Sequence, residues 1–381
     1  MPPNLSVYYN IYKMVHHKKH TRSRNRITPF LISNAHFVGV NELKGNVAKR
    51  ISNAQRCKRT IKRRYNIAKR SEIPAVHLFN SHATNGENNG TSSKMNCAPT
   101  VKGKTAGPDT CYTPDTLAKI KDSYNKNHPN NQILATNPQQ IAQEFRQKLQ
   151  SCKKEDCWLE QIKDAKLRKQ IDELIFAPDK PAEWIKNPNE WLSNFDIESV
   201  LKQYEKSHSN FKLLGSSPIN YDTKIKEEGG RCVWEDLCKL SLKDLLEKGK
   251  TKLGVSLNLD KYDDPGSHWI SMFIDLDNAV IFYYDSAMHP IPKEVNRLRD
   301  EVIRQGLALD KPIHFKYLKN KYDHQLSDGE CGMFSLFFII TFLTGETDFQ
   351  KNMTMDDKIA LFMRKSIPDK YVRKYRTLYF N

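Results

Sequence analysis

The stretch from Tyr322 to Leu343, YDHQLSDGECGMFSLFFIITFL, constrains this chain more than any other. Its first half is polar and turn-prone, with Ser327, Asp328 and Gly329 together. From Met333 onward it is apolar on nearly every side, the pattern of a helix buried all round. Only a domain with a sizeable core can bury such a helix, and 381 residues are enough to build one. A single cysteine, Cys331, sits at the junction between Glu330 and Gly332. A thiol at the first turn of a buried helix feels the positive end of the helix dipole, which favours thiolate. Gln325, in the preceding loop, offers an amide donor to a nearby oxyanion. This is the layout of a cysteine nucleophile, although a buried cysteine capping a core helix fits the same residues. Its partners decide between the two.

Charge is placed unevenly. Residues 1–75 hold 17 Lys and Arg against Glu42 and Glu72, a net +15 of the chain's +17. The basic segment around Arg56, Lys58, Arg59, Lys62, Arg63 and Arg64 is dense enough to bind phosphates or to serve as a nuclear import signal. A solvated basic tail without a dedicated ligand fits equally well. Residues 1–79 are therefore a basic N-terminal region with nucleic acid as its candidate partner. Residues 80–110, rich in Asn, Gly, Ser and Thr, are predicted to be a disordered linker.

No secretory signal is visible, and no apolar run approaches the roughly 20 residues a membrane span needs, so no membrane partner is expected. The eight cysteines are scattered without a dense framework, which favours a reduced, intracellular setting. Cys111, Cys152, Cys157, Cys232 and Cys238 lack the paired spacing of a zinc site, so no metal is expected.

Order is predicted to resume at Cys111. Thr113-Pro114 and Asn137-Pro138 each read as a helix start, and a third helical pattern covers Trp158 to Phe176. Residues 111–180 thus form a helical accessory unit. From Pro181 the composition is that of an α+β domain spanning residues 181–381. Trp191 to Leu201 reads as the start of an amphipathic helix. Leu253 to Leu259 alternates as a strand, and Trp269–Asp275 with Ala279–Tyr284 reads as a hairpin turning at Leu276-Asp277-Asn278. Glu294–Leu307 is helical, Ile313, Phe315 and Tyr317 alternate as a further strand, and another helix follows from Met355.

The hairpin supplies what a cysteine nucleophile needs: a base, and a group that holds the base in one tautomer. His268 precedes the first strand and Asp285 ends the second. In an antiparallel pair those two ends are neighbours. A surface salt bridge would be the bland account of the pair alone.

Four separated motifs now stand in order: His268-Trp269, Tyr284-Asp285-Ser286, Gln325, and Cys331-Gly332-Met333-Phe334. In order and spacing they resemble the adenain and SUMO-protease (ubiquitin-like-protein protease) superfamily of cysteine peptidases, over about residues 181–381. Trp191-Leu192 looks like that superfamily's usual entry to the catalytic domain. The resemblance implies a papain-like α+β fold of the adenain/SUMO-protease type, a central mixed sheet flanked by helices. It implies Cys331 as nucleophile, His268 as general base and acid, Asp285 as orienter and Gln325 as oxyanion donor, with no cofactor. Trp269 would roof a narrow channel that passes only small residues such as Gly-Gly. Family members usually carry Asp before the cysteine, where this chain has Glu330.

Residues 111–158 look like N-terminal modules of proteases from large double-stranded DNA viruses. The expected function is accordingly a viral maturation protease that cuts protein substrates at Gly-Gly-X-like sites, in the host cytoplasm or nucleus and packaged in the virion. Deconjugation of SUMO or another ubiquitin-like modifier is the alternative. A nucleic-acid-binding structural protein with a vestigial protease fold, and an acetyltransferase reusing the same residues, are the rivals from other classes.

Overall fold

Alternating and continuous apolar runs become the strands of a five-stranded mixed sheet: β1 (Phe211–Pro218), β2 (Lys252–Asn258), β3 (Trp269–Asp275), β4 (Val280–Tyr284) and β5 (Lys316–Lys319), in that spatial order. The computed structural model describes residues 95–381. The basic region 1–79, with Arg56, Lys58, Arg59, Lys62, Arg63 and Arg64, lies outside the described residues, as does the linker over 80–94. β1 runs parallel to β2, β2–β3 and β3–β4 are antiparallel, and β5 returns parallel to β4. The fold is the α+β class with a central mixed sheet. Every residue of β3 and β4 is buried, as expected of strands apolar on both faces.

The apolar run after Glu330 is helix α6 in the following order: α1 (Pro114–Asn127), α2 (Pro138–Lys148), α3 (Ala165–Ile175), α4 (Asn194–Ser207), α5 (Lys293–Leu307), α6 (Cys331–Thr344) and α7 (Met355–Phe362). All of α6 but Thr344 is buried. Phe334, Phe338 and Phe342, four residues apart, share one face of it. Phe342 meets Phe273 and Phe282 at ring separations of 5.5 and 5.2 Å, and Phe338 stacks on Tyr284 at 4.8 Å. This aromatic ladder lays α6 along β3 and β4 with its first turn at the Tyr284-Asp285 end of the hairpin. The position of Cys331 is thus a consequence of core packing.

Several boundaries differ from expectation. The pattern over Trp158–Phe176 is not one helix but a 3₁₀ turn (Glu155–Gln161) followed by α3. The Asp164 side chain accepts from the N–H groups of Lys166 and Leu167 at 2.9 and 3.1 Å, which starts a new helix there. The Trp191 pattern becomes helical only at Asn194, because Ser193 and Asp196 form a capping box. The strand over Ile313–Tyr317 is shifted to Lys316–Lys319. β1 was not legible, since Gly, Ser, Ser and Pro fill its second half. Gly215 in it has φ +147°, and a Cβ there would lie 2.1 Å from the Trp234 indole.

The linker expectation fails over residues 95–110. Met95, Ala98, Val101 and Ala106 are buried, and Cys97 in the same segment is bonded to Cys111. These few apolar anchors outweigh a composition that otherwise reads as disordered. Cys152–Cys157 and Cys232–Cys238 are also bonded, leaving Cys331 as the one free cysteine among the described residues. This corrects the reduced set suggested by the scattered spacing.

Residues 95–176 share a core cluster of their own, in which Trp158 stacks between Tyr112 and Phe145 at 5.6 and 5.3 Å. They dock on the sheet domain. Gln203 of α4 donates to the Phe176 carbonyl at 2.7 Å, and the Asn381 amide donates to the Ala177 carbonyl at 2.7 Å. Among the described residues no helix is long and apolar enough to cross a membrane.

Candidate active site

β3 and β4 bring His268 and Asp285 together across 17 positions: His268 Nε2 lies 2.7 Å from Asp285 Oδ1, and both residues are buried. The rest of the Asp285 carboxylate is filled by the N–H groups of Ala287 (2.9 Å) and His289 (2.6 Å) and by His289 Nδ1 (3.2 Å). Its backbone is fixed as well. The Asn320 side chain accepts from the Asp285 N–H at 3.1 Å and donates to the Asp285 carbonyl at 2.8 Å. Burial would raise the Asp285 pKa, but the hydrogen bonds from His268 and His289 and the His268 charge outweigh it. The carboxyl is held well below the usual carboxylate range.

The second group acting on His268 is the Cys331 thiol. With Nε2 committed to Asp285, Nδ1 is the ring nitrogen left for the thiol. Burial disfavours the imidazolium, yet the hydrogen bonds to Asp285 and Cys331, together with their charges, lift its pKa to about 9. A cysteine, an imidazole that can hold a proton beside it and a fixed carboxylate are the parts nucleophilic acyl transfer uses.

Gln325 is tied to the same strand end. Its backbone N–H donates to the Ser286 carbonyl at 2.9 Å, Ser286 Oγ donates to Gln325 Oε1 at 2.8 Å, and Gln325 Nε2 donates to the Ser327 carbonyl at 2.6 Å. One amide hydrogen of Gln325 is thus committed to its own loop. Trp269 is buried, and its indole N–H donates to the Leu192 carbonyl at 2.9 Å. The half-exposed indole is Trp191, which donates to the Asp328 carbonyl at 2.6 Å and lines a cleft with Asn187, Asn189, Ser327, Asp328 and Arg373. Trp269 is not among the residues lining that cleft.

Residues 253–374 match the model of the Ulp1 protease family, C-terminal catalytic domain. His268, Asp285, Gln325 and Cys331 all fall inside the matched segment. Over that segment the chain is similar to a Ulp1-family catalytic domain. A mimivirus (Acanthamoeba polyphaga) protein bearing a thiol-protease name is 31% identical over 176 residues, 46% of this chain and 55% of that protein. A cysteine protease of African swine fever virus is 27% identical over 186 residues, 47% of this chain and 66% of that protein. The chain therefore spans less than two thirds of these relatives' lengths. The crystal structure of the African swine fever virus protease superposes with a TM-score of 0.46 at 21% identity, covering 76% of this chain and 97% of that one.

The residue before the cysteine is Glu330, and it is fully buried. Arg373 Nε meets its Oε1 at 2.7 Å and Arg376 Nε its Oε2 at 3.1 Å. Arg376 also donates to the carbonyls of Pro188 (3.2 Å), Glu190 (3.0 Å) and Gly329 (2.8 Å), and lies 4.3 Å from the Trp184 ring. One guanidinium thus ties the loop before the cysteine to the loop that carries Trp191. Arg376→Ala leaves a buried carboxylate with one partner, so stability should fall by about 3 kcal/mol. A denaturation midpoint measures this, and Glu330→Gln/Arg376→Met should be less destabilised than Arg376→Ala.

The imidazolium sets a pH dependence. The folded His268 value of about 9 lies above the ordinary 6.5. Stability from the protonated pair is therefore fully present below pH ~6.5 and lost as pH rises through about 9. The proton that leaves is the one a departing amine needs, so kcat/KM should fall along an alkaline limb near the same value. A pH–rate profile flat through pH 10 would contradict it.

Proposed function

We propose that this chain is a cysteine endopeptidase with Cys331 as nucleophile, His268 as general base and acid, and Asp285 as the group that orients His268. The reading is supported above all by one observation: a buried imidazole bonded to a carboxylate at 2.7 Å, its pKa also raised by the only free cysteine among the described residues. The Cys331 thiolate attacks a peptide carbonyl, and the carbonyl oxygen becomes an oxyanion. Backbone N–H groups at the start of α6 and the remaining N–H of the Gln325 amide would hold it. His268 gives its proton to the nitrogen of the leaving amine as the C–N bond breaks, and a thioester remains. Water then adds to the thioester, giving a proton to His268, and the C–S bond breaks.

The proposed substrates are precursor proteins cut after Gly-Gly-X-like sequences, in viral structural-protein maturation inside the host cell and the particle. The exposed indole of Trp191, bonded to the Asp328 carbonyl three positions before Cys331, supports this. An extended Gly-Gly has no side chains and can pass beneath an aromatic wall that excludes bulkier residues. The basic segment from Arg56 to Arg64 would hold the enzyme near packaged nucleic acid. Salt-insensitive DNA retention after deletion of residues 1–75 would remove that part.

A second reading is deconjugation of a ubiquitin-like modifier, favoured by African swine fever virus relatives named SUMO-1 cysteine protease, 25% identical over 227 residues. Incubation with Gly-Gly-X peptides and with SUMO- and ubiquitin-based reactive probes separates the two. Peptide cleavage without probe labelling is the expected result. Labelling of Cys331 by a SUMO probe would favour deconjugation, and the absence of both cleavage and labelling would overturn both.

A further inference from the structure

We propose that His268, Asp285 and His289 form a divalent-metal site through which an ion such as Zn²⁺ switches this centre off. The binding stands apart from the proteolytic reading; the inhibition rests on it. Among the described residues these three are the one group of metal-ligating side chains whose donor atoms all lie within 4.8 Å of one another.

His289 is brought to the carboxylate by a tight turn. The Met288 N–H donates to the Asp285 carbonyl at 3.2 Å, and Met288 has φ +55°, a conformation that residues with side chains avoid. The turn aims both the backbone N–H and the Nδ1 of His289 at Asp285 Oδ2. The His289 ring then sits 4.7 Å from the His268 ring, on the same carboxylate. The backbone N–H groups of Ala287 and His289 hold Asp285 independently of either imidazole. A fixed carboxylate faced by two imidazole nitrogens is a donor set for Zn²⁺, Co²⁺ or Ni²⁺ and a poor one for Mg²⁺ or Ca²⁺. Tetrahedral donors about 2.0–2.1 Å from an ion lie roughly 3.3 Å apart. His289, whose side chain is 45% exposed, has room to swing the remaining distance.

Binding would exchange the proton on His268 Nε2 for the ion, and that proton would pass to solvent, while His289 would bind through Nδ1 as the neutral ring with its proton on Nε2. His268 would then keep one proton, on Nδ1. Surrendering that proton would leave an imidazolate, so the metal-bound ring is a far weaker acid toward a leaving amine than imidazolium. Catalysis stops at amine departure, and a chelator restores it. The plain alternative is that His289 is only an extra hydrogen bond to Asp285.

The test uses the full chain. Cys331→Ala and Cys331→Ala/His289→Ala proteins are titrated with Co²⁺ alone, and the visible d–d absorption of bound ion is read. The first should bind one equivalent more than the second; His16, His17 and His20, present in both, contribute equally. Coincident titrations would overturn the site. In the chain with Cys331 intact, Zn²⁺ inhibition of peptide cleavage, normalised to each protein's metal-free rate, should need about tenfold more ion or more in His289→Ala. His289→Gln, which can still donate to Asp285, should show the same shift should the alanine variant fold poorly. Equal sensitivity in all three would overturn the inhibitory role even where Co²⁺ binds.

Discussion

Cys331→Ala should abolish peptide cleavage, lowering kcat by at least ~10⁵-fold, with the thermal melt nearly unchanged. The sulfur is the atom that bonds to the substrate carbonyl, and His268, Asp285 and Gln325 act only around it. Alanine in its place removes one buried atom, while the packing that sets α6 comes from elsewhere. Phe334, Phe338 and Phe342 still meet Tyr284, Phe282 and Phe273. The loss is therefore chemical and not structural, and a melt recorded beside the rate separates the two. Residual cleavage at a tenth of the native rate would exclude Cys331 as nucleophile.

Asp285→Asn should lower kcat by about 10⁴-fold and leave KM within a few-fold, by analogy with loss of the orienting carboxylate in other triads. The carboxylate accepts from His268, from two backbone N–H groups and from His289. An asparagine of the same shape must present an NH₂ group to one of these donors. The Nε2-protonated His268 then loses its acceptor, and the tautomer and charge that serve the thiol are lost together. The alkaline limb near pH 9 should move down with the loss of the negative charge that supports the imidazolium. Steady-state kinetics over pH for both proteins measure the rate and the shift at once. A fall of less than tenfold would mean that something other than Asp285 holds His268.

Features written in local patterning were legible in the sequence. α6 is a continuous apolar run, the β3–β4 hairpin is two apolar runs about a polar turn, and the hairpin's antiparallel geometry places His268 beside Asp285 without a structure. Thr113 and Asn137 are caps whose side chains accept the expected N–H bonds. What escaped depends on contacts between distant segments or on backbone conformation. Glu330 looked like a departure from the family pattern. Its meaning lies in Arg373 and Arg376, more than 40 positions away, and in the loop carbonyls that Arg376 gathers. Asn320 grips Asp285 across 35 positions, with no motif to mark it. His289 reaches Asp285 only because Met288 adopts a positive φ. Residues 95–110 show the reverse error, where composition spoke for disorder and a few buried side chains decided for order. Trp191 was legible as the entry to the domain but not as a wall of the cleft, because its exposure is set by the loop that Arg376 holds.

The most direct measurement is to trap the bond to the enzyme. The full chain is incubated with a Gly-Gly peptide that ends in a thiol-reactive electrophile, and the adduct is located by peptide mapping. A single adduct on Cys331, suppressed by excess Gly-Gly-X substrate and strongly slowed in His268→Ala, is the predicted result. Substrate cleavage that continues after Cys331 is fully modified by the probe, or an adduct confined to another residue, would contradict the assignment.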